Sequence, residues 1–287
     1  MQVLQQTTFA ETTRGEQLAD NVARDSLIIP ITRWTKFLAW GLASVLLAAG
    51  TWQILVMTNI LPTDYFPDIA TLVSAWAGLF TDPAFWSALG STFYTAIVGL
   101  ILGIVVGVPV GIAVGRNDIL FHATRFIFEF ARPVPTVALI PVIVLFFGIG
   151  VEAKLLLVFL AVVFPLVVQT VYGVRDVDPV ALDTATVLRL NRWRRLIQVL
   201  LPASGPYIMT GIRITASIAL LVSVSTEIII GAPGLGLAIT NAENSYALDR
   251  MYALIAMTGI IGVVLNVVVT SVEKRTSAWA RVAEEGN

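Results

Sequence analysis

The sequence has no cysteine, a single histidine and few charged residues. The lack of cysteine excludes disulfides, thiol catalysis and cysteine-based zinc or iron–sulfur sites. The single histidine, His122, has no second histidine with which to share a metal ion, so it is interpreted as structural. Only 13% of the 287 residues are charged, against about 25% in soluble domains. Because 57% are hydrophobic and the mean hydropathy is +0.84, the composition is that of an integral membrane protein.

Apolar runs long enough to cross a bilayer recur along the chain. A crossing needs about 20 apolar residues, since a helix rises about 1.5 Å per residue and the bilayer core is roughly 30 Å thick. We therefore predict an all-α membrane protein with six crossings, at about residues 37–57, 92–115, 133–150, 155–172, 205–230 and 251–272. Arg213 and Glu227 interrupt the fifth. Their charges are expected near an interface or in the protein interior, because a charge in hydrocarbon costs at least about 2.5 kcal/mol.

The distribution of lysine and arginine predicts the orientation. With both termini in the cytoplasm, fifteen of the 18 cationic residues fall inside and only Lys154 and Arg250 fall outside, with Arg213 in the inner half of the fifth crossing. Residues 1–35 are polar and are expected to form a cytoplasmic tail, followed by a transmembrane domain at 36–287. A signal peptide with Leu42 to Ala49 as its apolar region is the alternative. The preceding region is too long for one.

A polar, arginine-rich stretch, Val177 to Ser204, lies between two of the apolar runs. Asp178-Pro179 is typical of a helix start, because the carboxylate can cap free amides and proline is tolerated at the first turn. A helix is predicted to run to about Arg189 and to stop at Asn191. A second helix would then extend to Leu200 until Leu201-Pro202 breaks it. The sequence predicts a compact two-helix knob.

This stretch resembles the EAA loop of ABC importer permeases. Asp183, Thr184 and Ala185 occupy the Glu-Ala-Ala positions, and Leu201-Pro202 follow eighteen and nineteen residues after Asp183. Arg189 stands where the family has a glycine. The resemblance implies that residues 176–202 form a cytoplasmic coupling loop that docks on an ATPase. The residues that carry this role are Asp183, Thr184, Ala185, Leu188, Arg189 and Arg192. The arginines also suit anionic lipid headgroups, or a solvated loop that obeys the charge rule.

Two further segments resemble the nitrate, sulfonate, taurine and bicarbonate branch of these permeases: RPVPTVALIPVIVLFFGIG from Arg132 and EIIIGAPGLGLAI from Glu227. The resemblance implies a type I ABC importer permease fold and a small, anionic solute. Gly231, Gly234 and Gly236 are expected to form a flexible outer loop. Residues expected to line the path or gate are Arg132, Arg213, Ser223, Ser225 and Glu227. The serines can equally bond to carbonyls of their own helix.

The resemblance also implies the assembly, in the bacterial plasma (inner) membrane. Two cytoplasmic ABC ATPase subunits, a second permease copy in a homodimer and an extracytoplasmic solute-binding protein are the expected partners, with lipid around them and no nucleic acid. The chain is expected to be a transport subunit rather than an enzyme and to bind no cofactor directly, with ATP and magnesium on the partner ATPase. It has no G-x-x-x-x-G-K-[ST] motif; the nearest stretch, GIGVEAK at 148–154, does not match.

Gly99, Gly103, Gly107, Gly111 and Gly115 recur every fourth residue and predict a smooth helix face for close packing. Two other functions compete with the importer. An ion-coupled secondary transporter would need carboxylates near the bilayer midplane, whereas Glu129, Glu152 and Glu227 fall near crossing ends. An intramembrane protease would need a serine–histidine or two-aspartate pair at that depth, which the sequence does not offer.

Overall fold

A computed structural model of the chain describes residues 40–131 and 135–276, and the predicted tail at 1–35 lies outside them. All regular secondary structure in this part of the chain is helical, which confirms the predicted all-α class. The α-helices are α1 (Trp40–Met57), α2 (Ile69–Leu79), α3 (Pro83–Gly115), α4 (Asp118–Ala131), α5 (Ile140–Phe147), α6 (Val151–Arg175), α7 (Pro179–Val187), α8 (Arg192–Arg195), α9 (Leu201–Ile230), α10 (Leu235–Asn244) and α11 (Leu248–Thr276). A 3₁₀-helix, Thr136–Leu139, precedes α5, and a π-helix, Leu196–Leu200, joins α8 to α9.

Five helical runs among the described residues are long and apolar enough to cross a membrane, one fewer than predicted. They are α1, α3, α6, α11 and the continuous run Arg192–Ile230 that contains α9. The exception is the third predicted crossing, 133–150, where the 3₁₀-helix and α5 have only four and eight residues. These can reach about 20 Å, less than the roughly 30 Å of the bilayer core. Pro135, in extended conformation, ends the helical path on this side.

Residues 40–69 belong to a compact unit separate from the residues that follow. After α1 the chain turns back along that helix. The Trp52 indole N–H donates to the Pro67 carbonyl at 3.0 Å, and Gln53 Oε1 accepts from the Ile69 amide at 2.9 Å. These two bonds hold the connection against α1.

Helices α3, α6 and α9 pack together and form the bundle. The glycine ridge of α3 faces α6, where Val158, Val162, Leu166, Thr170 and Val174 repeat with the same four-residue spacing. A methyl group on Gly103 would lie 2.3 Å from Val162 Cγ1, and one on Gly111 would lie 2.9 Å from the Val167 carbonyl oxygen. The small residues therefore set how closely the two helices approach, and the neighbour of the ridge belongs to the same chain.

A second packed region joins α10 and α11 to the start of α3. Its buried side chains include Leu79, Phe85, Leu235, Leu254 and Met257. Asp82 caps the start of α3, because its carboxylate accepts from the Ala84 amide at 2.8 Å and Pro83 takes the first helical position. The two packed regions together position α9, whose ends carry the two sites described next.

Candidate functional site

At one end of α9, residues 178–200 form a compact projection that we call the coupling knob. Asp178 starts it as predicted: its carboxylate accepts from the Val180 amide at 2.8 Å, and Pro179 opens α7. The helix ends at Val187 in a Schellman motif, with the Leu190 amide donating to the Ala185 carbonyl and the Arg189 amide to the Thr186 carbonyl, both at 3.0 Å.

The left-handed residue of this motif is Arg189, with φ +53°. A glycine is usual at such a position because a side chain there costs roughly 1–2 kcal/mol. The predicted stop at Asn191 is wrong. Asn191 is extended, with φ −67° and ψ 163°, and its side chain caps the next helix by accepting from the Arg194 amide at 2.8 Å. Asn191 therefore acts as the N-cap of α8 and does not adopt the left-handed conformation of a helix stop.

The predicted helix break at Leu201-Pro202 is also wrong, because the π-helix runs directly into α9. A proline in an α-helix normally clashes with the carbonyl four residues earlier. The wider π turn before Pro202 gives its ring room, so the helical path from Arg192 to Ile230 is continuous. The knob is joined to α9 without a flexible link.

The knob presents most of its side chains to the surroundings. Of the predicted coupling residues, Ala185 is buried, whereas Asp183, Thr184, Leu188, Arg189 and Arg192 are exposed. Sequence reasoning missed two large apolar side chains beside them, Val187 at 81% and Trp193 at 68% exposure. The sequence feature that could have indicated them is Trp193, an aromatic residue between arginines. This surface combines apolar area with charge, as protein interfaces do.

At the opposite end of α9 lies a polar cluster formed by Thr92, Thr95, Lys154, Ser223 and Glu227, each fully buried. The Lys154 ammonium lies 2.7 Å from Glu227 Oε1 and donates to the Pro233 carbonyl at 2.8 Å. Glu227 Oε2 accepts from the Gly236 amide at 2.9 Å. The ion pair links α6 to α9, and the backbone bonds tie in the segment that follows α9.

Hydroxyl groups complete the polar cluster. Thr92 Oγ1 lies 2.9 Å from Glu227 Oε2 and accepts from the Leu235 amide at 2.9 Å. Ser223 and Thr95 share a hydrogen bond of 2.7 Å between their hydroxyl oxygens. A buried charge is tolerated only when it is paired and hydrogen-bonded, and this arrangement satisfies both ions.

Lys154 is buried, and it is paired with Glu227 of the neighbouring helix. One expectation about this region is corrected. The segment from Gly231, expected to be a flexible loop, is packed: Gly234 and Gly236 are buried, and α10 starts at Leu235. A methyl group on Gly234 would lie 2.1 Å from the Glu227 carboxyl carbon, so the close approach requires glycine.

The structure separates the five residues predicted to line the path. Ser223 and Glu227 meet in the polar cluster, whereas Ser225 is half-buried outside it. The Arg213 Nε lies 3.4 Å from Glu273 Oε2 on α11, so this cation has a carboxylate partner. Arg132 lies outside the described residues. Within residues 40–131 and 135–276, no group of three histidine, aspartate or glutamate side chains could hold a metal ion.

The chain matches known proteins over most of its length. Residues 99–278 match the family described as "Binding-protein-dependent transport system inner membrane component". The chain is 32% identical over 200 residues to the taurine transport system permease protein TauC of Escherichia coli, covering 70% of this chain and 73% of that protein. It is 29% identical over 200 residues to the nitrate import permease protein NrtB of Leptolyngbya laminosa, covering 70% and 72%.

Among solved structures, the fold is similar to a chain of the MetNI methionine ABC transporter in an inward-facing conformation. The TM-score is 0.60 at 18% identity, and the match covers 68% of this chain and 98% of that one. At this identity the likeness shows the arrangement of helices.

Proposed function

Because the chain belongs to the family of binding-protein-dependent transport system inner membrane components, the permease subunits of ABC importers, we propose that ATPase subunits docked on its coupling knob drive a small anionic solute through it. Membership in this family excludes the two alternative functions that the sequence alone left open, a secondary transporter and an intramembrane protease. The chain is a multi-pass membrane protein and a transport subunit.

The observation that carries the proposal is the continuous connection between the coupling knob and the bundle. A partner that moves Trp193 moves the π-helix and α9 with it, because Arg192–Ile230 is one continuous helical run. Asp183 lies on α7, which packs on the π-helix. Helix α9 packs on α6 and α3, and its far end holds the polar cluster. A displacement applied to the knob is therefore transmitted along a stiff rod to the opposite end of the bundle.

We place the knob in the cytoplasm with both termini, since this orientation satisfies the positive-inside rule. An even number of crossings is then required, so a sixth helical path must accompany the five long ones. The 3₁₀-helix and α5, with four and eight residues, are apolar and follow one another in the chain. We assign the third crossing to these pieces in series.

The nature of the solute is inferred from relatives that import taurine and nitrate, one a sulfonate and one an oxyanion. Lys154 of α6 and Arg213 of α9 both have carboxylate partners. We infer that neither offers a free charge to an anion, and that selectivity is imposed by a solute-binding protein before the solute enters the bundle. A pair of these chains would surround the path, with one ATPase for each knob.

The absence of cysteine permits a direct test of the knob's location. In Asp183→Cys the new thiol is the sole cysteine of the chain, and a membrane-impermeant maleimide should label it only after cells are opened. Asp64→Cys, on the connection after α1, is the matched control and should be labelled in intact cells. If the maleimide labels the Asp183→Cys variant in intact cells, the knob lies outside the cytoplasm and cannot be a docking site for an ATPase.

The docking role is tested by reversing the charge of Asp183. Asp183→Lys should abolish co-purification of the ATPase and reduce solute uptake while leaving the amount of permease in the membrane unchanged. Asp64→Lys makes the same change in net charge on an exposed residue elsewhere and should leave both properties intact. Full uptake by Asp183→Lys would contradict the proposal.

A further inference from the structure

A cavity of about 620 Å³ lies between the coupling knob and the bundle. The ends of α3 and α6 form one side, and α7, α8 and the π-helix form the other. Arg116, Arg175 and Arg195 line it together with one carboxylate, Asp118. A volume in the range of roughly 300–1,000 Å³ is typical of sites for small molecules. The cavity is therefore large enough for an organic ligand and not only for an isolated ion.

The charges facing the cavity do not cancel. Arg175 is neutralised by Asp118, with 2.9 Å between Nη1 and Oδ1, and its guanidinium lies 4.1 Å from the centre of the Phe121 ring. Arg195 is half-buried, and among the residues that the structure describes its guanidinium contacts a hydroxyl, Thr186 Oγ1, at 3.5 Å rather than a carboxylate. Arg116 has no ion pair among the described residues. Two guanidinium groups thus remain uncompensated at the cavity.

We propose that this cavity binds a phosphate-bearing anion. The planar guanidinium fork matches phosphate oxygens and can hold them by two parallel hydrogen bonds. Apolar side chains, Val174, Leu196 and Leu200, line the cavity next to the arginines. A ligand with an anionic phosphate and a small apolar body satisfies both parts of the lining. The headgroup of an anionic phospholipid and a soluble phosphate compound both carry such an anionic group, so either could be the source of the ligand.

The position of the cavity gives such a ligand a role. Arg116 follows the end of α3 in the bundle, whereas Arg195 belongs to the knob, so one phosphate held by both bridges the two parts. The wall on the knob side includes Leu196 and Leu200 of the π-helix, a distortion found frequently at functional sites. Occupancy would fix the knob relative to the bundle. The site does not require the proposed transport function, because it can be measured on the purified permease.

The test is a thermal-shift titration of the permease in a neutral detergent. The probes are dioctanoyl phosphatidylglycerol, dioctanoyl phosphatidylcholine with matched chains but no net charge, and inorganic phosphate. The variants are Arg116→Gln and Arg195→Gln, with Arg194→Gln as matched control. Arg194 lies on the same helix, is exposed and does not line the cavity. A single elution peak on size exclusion, required of each variant, separates loss of binding from loss of folding.

The anionic probe should stabilise the wild type more than phosphatidylcholine does. Each cavity substitution should weaken its apparent affinity about fivefold, and Arg194→Gln should not. If dioctanoyl phosphatidylglycerol binds and inorganic phosphate does not, the ligand is a lipid. If inorganic phosphate binds and the lipid does not, the ligand is a soluble anion. Equal affinities for the Arg194 and Arg195 variants, or no binding of either anion, would overturn the proposal. The arginines would then serve another partner, such as acidic side chains of an ATPase.

Discussion

The two ends of α9 handle charge in opposite ways. In the polar cluster, Lys154 and Glu227 have no exposed surface, and both ions are paired and hydrogen-bonded. In the coupling knob, Asp183 and Arg192 lie in the open beside exposed apolar side chains such as Trp193. The cluster is complete within one chain, whereas the knob presents charged and apolar side chains to its surroundings. The same residue types thus close the structure at one end and leave it open at the other.

The difference also concerns what each region contributes energetically. A buried ion pair gains little net stability, because desolvation offsets the attraction, but removal of one partner is costly. An exposed charge is solvated with or without its neighbours, so its removal costs little. Substitutions in the polar cluster should therefore act on folding, and substitutions on the surface of the knob should act on association.

The largest expected effect comes from breaking the buried pair. Lys154→Met keeps the length of the side chain but leaves the Glu227 carboxylate buried without a counter-ion, which should lower the free energy of unfolding by about 3–5 kcal/mol. Denaturant titration of the purified permease, followed by tryptophan fluorescence, measures the change. On the knob, Arg192→Met should change the same quantity by no more than about 0.5 kcal/mol.

The double variant Lys154→Met/Glu227→Met separates charge from packing. It removes both ions, so it should recover a large part of the stability lost in the single variant. A double variant as unstable as Lys154→Met would mean that packing and the hydrogen bonds of Glu227, rather than an unpaired charge, hold this end together. The contrast between the two ends of α9 would then need a different explanation.

The next effect tests how tightly the bundle between the two ends is packed. A methyl group on Gly111 would meet the Val167 carbonyl at 2.9 Å and Thr170 Cβ at 2.5 Å, whereas one on Gly107 would lie at least 3.4 Å from its neighbours. Gly111→Ala should therefore destabilise the permease by about 1–3 kcal/mol. Gly107→Ala should be neutral or stabilising by up to about 1 kcal/mol through helix propensity. Equal thermal stabilities would show that α3 and α6 can move apart freely.

A smaller and opposite effect is expected in the knob. Arg189→Gly relieves the left-handed backbone at the end of α7 and should stabilise the local fold by about 1 kcal/mol. Hydrogen exchange of the α7 and α8 amides should slow about fivefold, measured by mass spectrometry. In the matched variant Arg194→Gly, the helical conformation disfavours glycine, and exchange should accelerate by a similar factor.

How far the sequence predicts this structure depends on the distance over which residues interact. Asp178-Pro179 predicted a helix start correctly, because capping involves residues two positions apart. The pairing of Lys154 with Glu227 joins two helices far apart in sequence, and no local pattern indicates it. The resemblance to the EAA loop located the knob but not its turn, since Arg189 adopts the left-handed backbone of a glycine. The third crossing was predicted as one apolar run, 133–150, because composition shows apolarity and not where a proline interrupts the helix.

The smallest effect on stability is expected from a second ion pair. This pair lies at the same end of the bundle as the polar cluster, but it is partly exposed to solvent. Asp82 pairs with Arg250, and the Ala84 amide and the Arg250 guanidinium, in that order, lower the pKa of its carboxyl group. Its contribution to stability is therefore present above the unfolded pKa of about 3.9 and lost as pH falls through the lower folded value. Asp82→Asn retains the cap but not the charge. Its melting temperature should lie slightly below that of the wild type at pH 7, with the gap closing on acidification below about pH 4. Equal melting temperatures of the two proteins at every pH would show that Asp82 acts through its cap alone. The buried pair would then be the one ion pair of the two that affects folding.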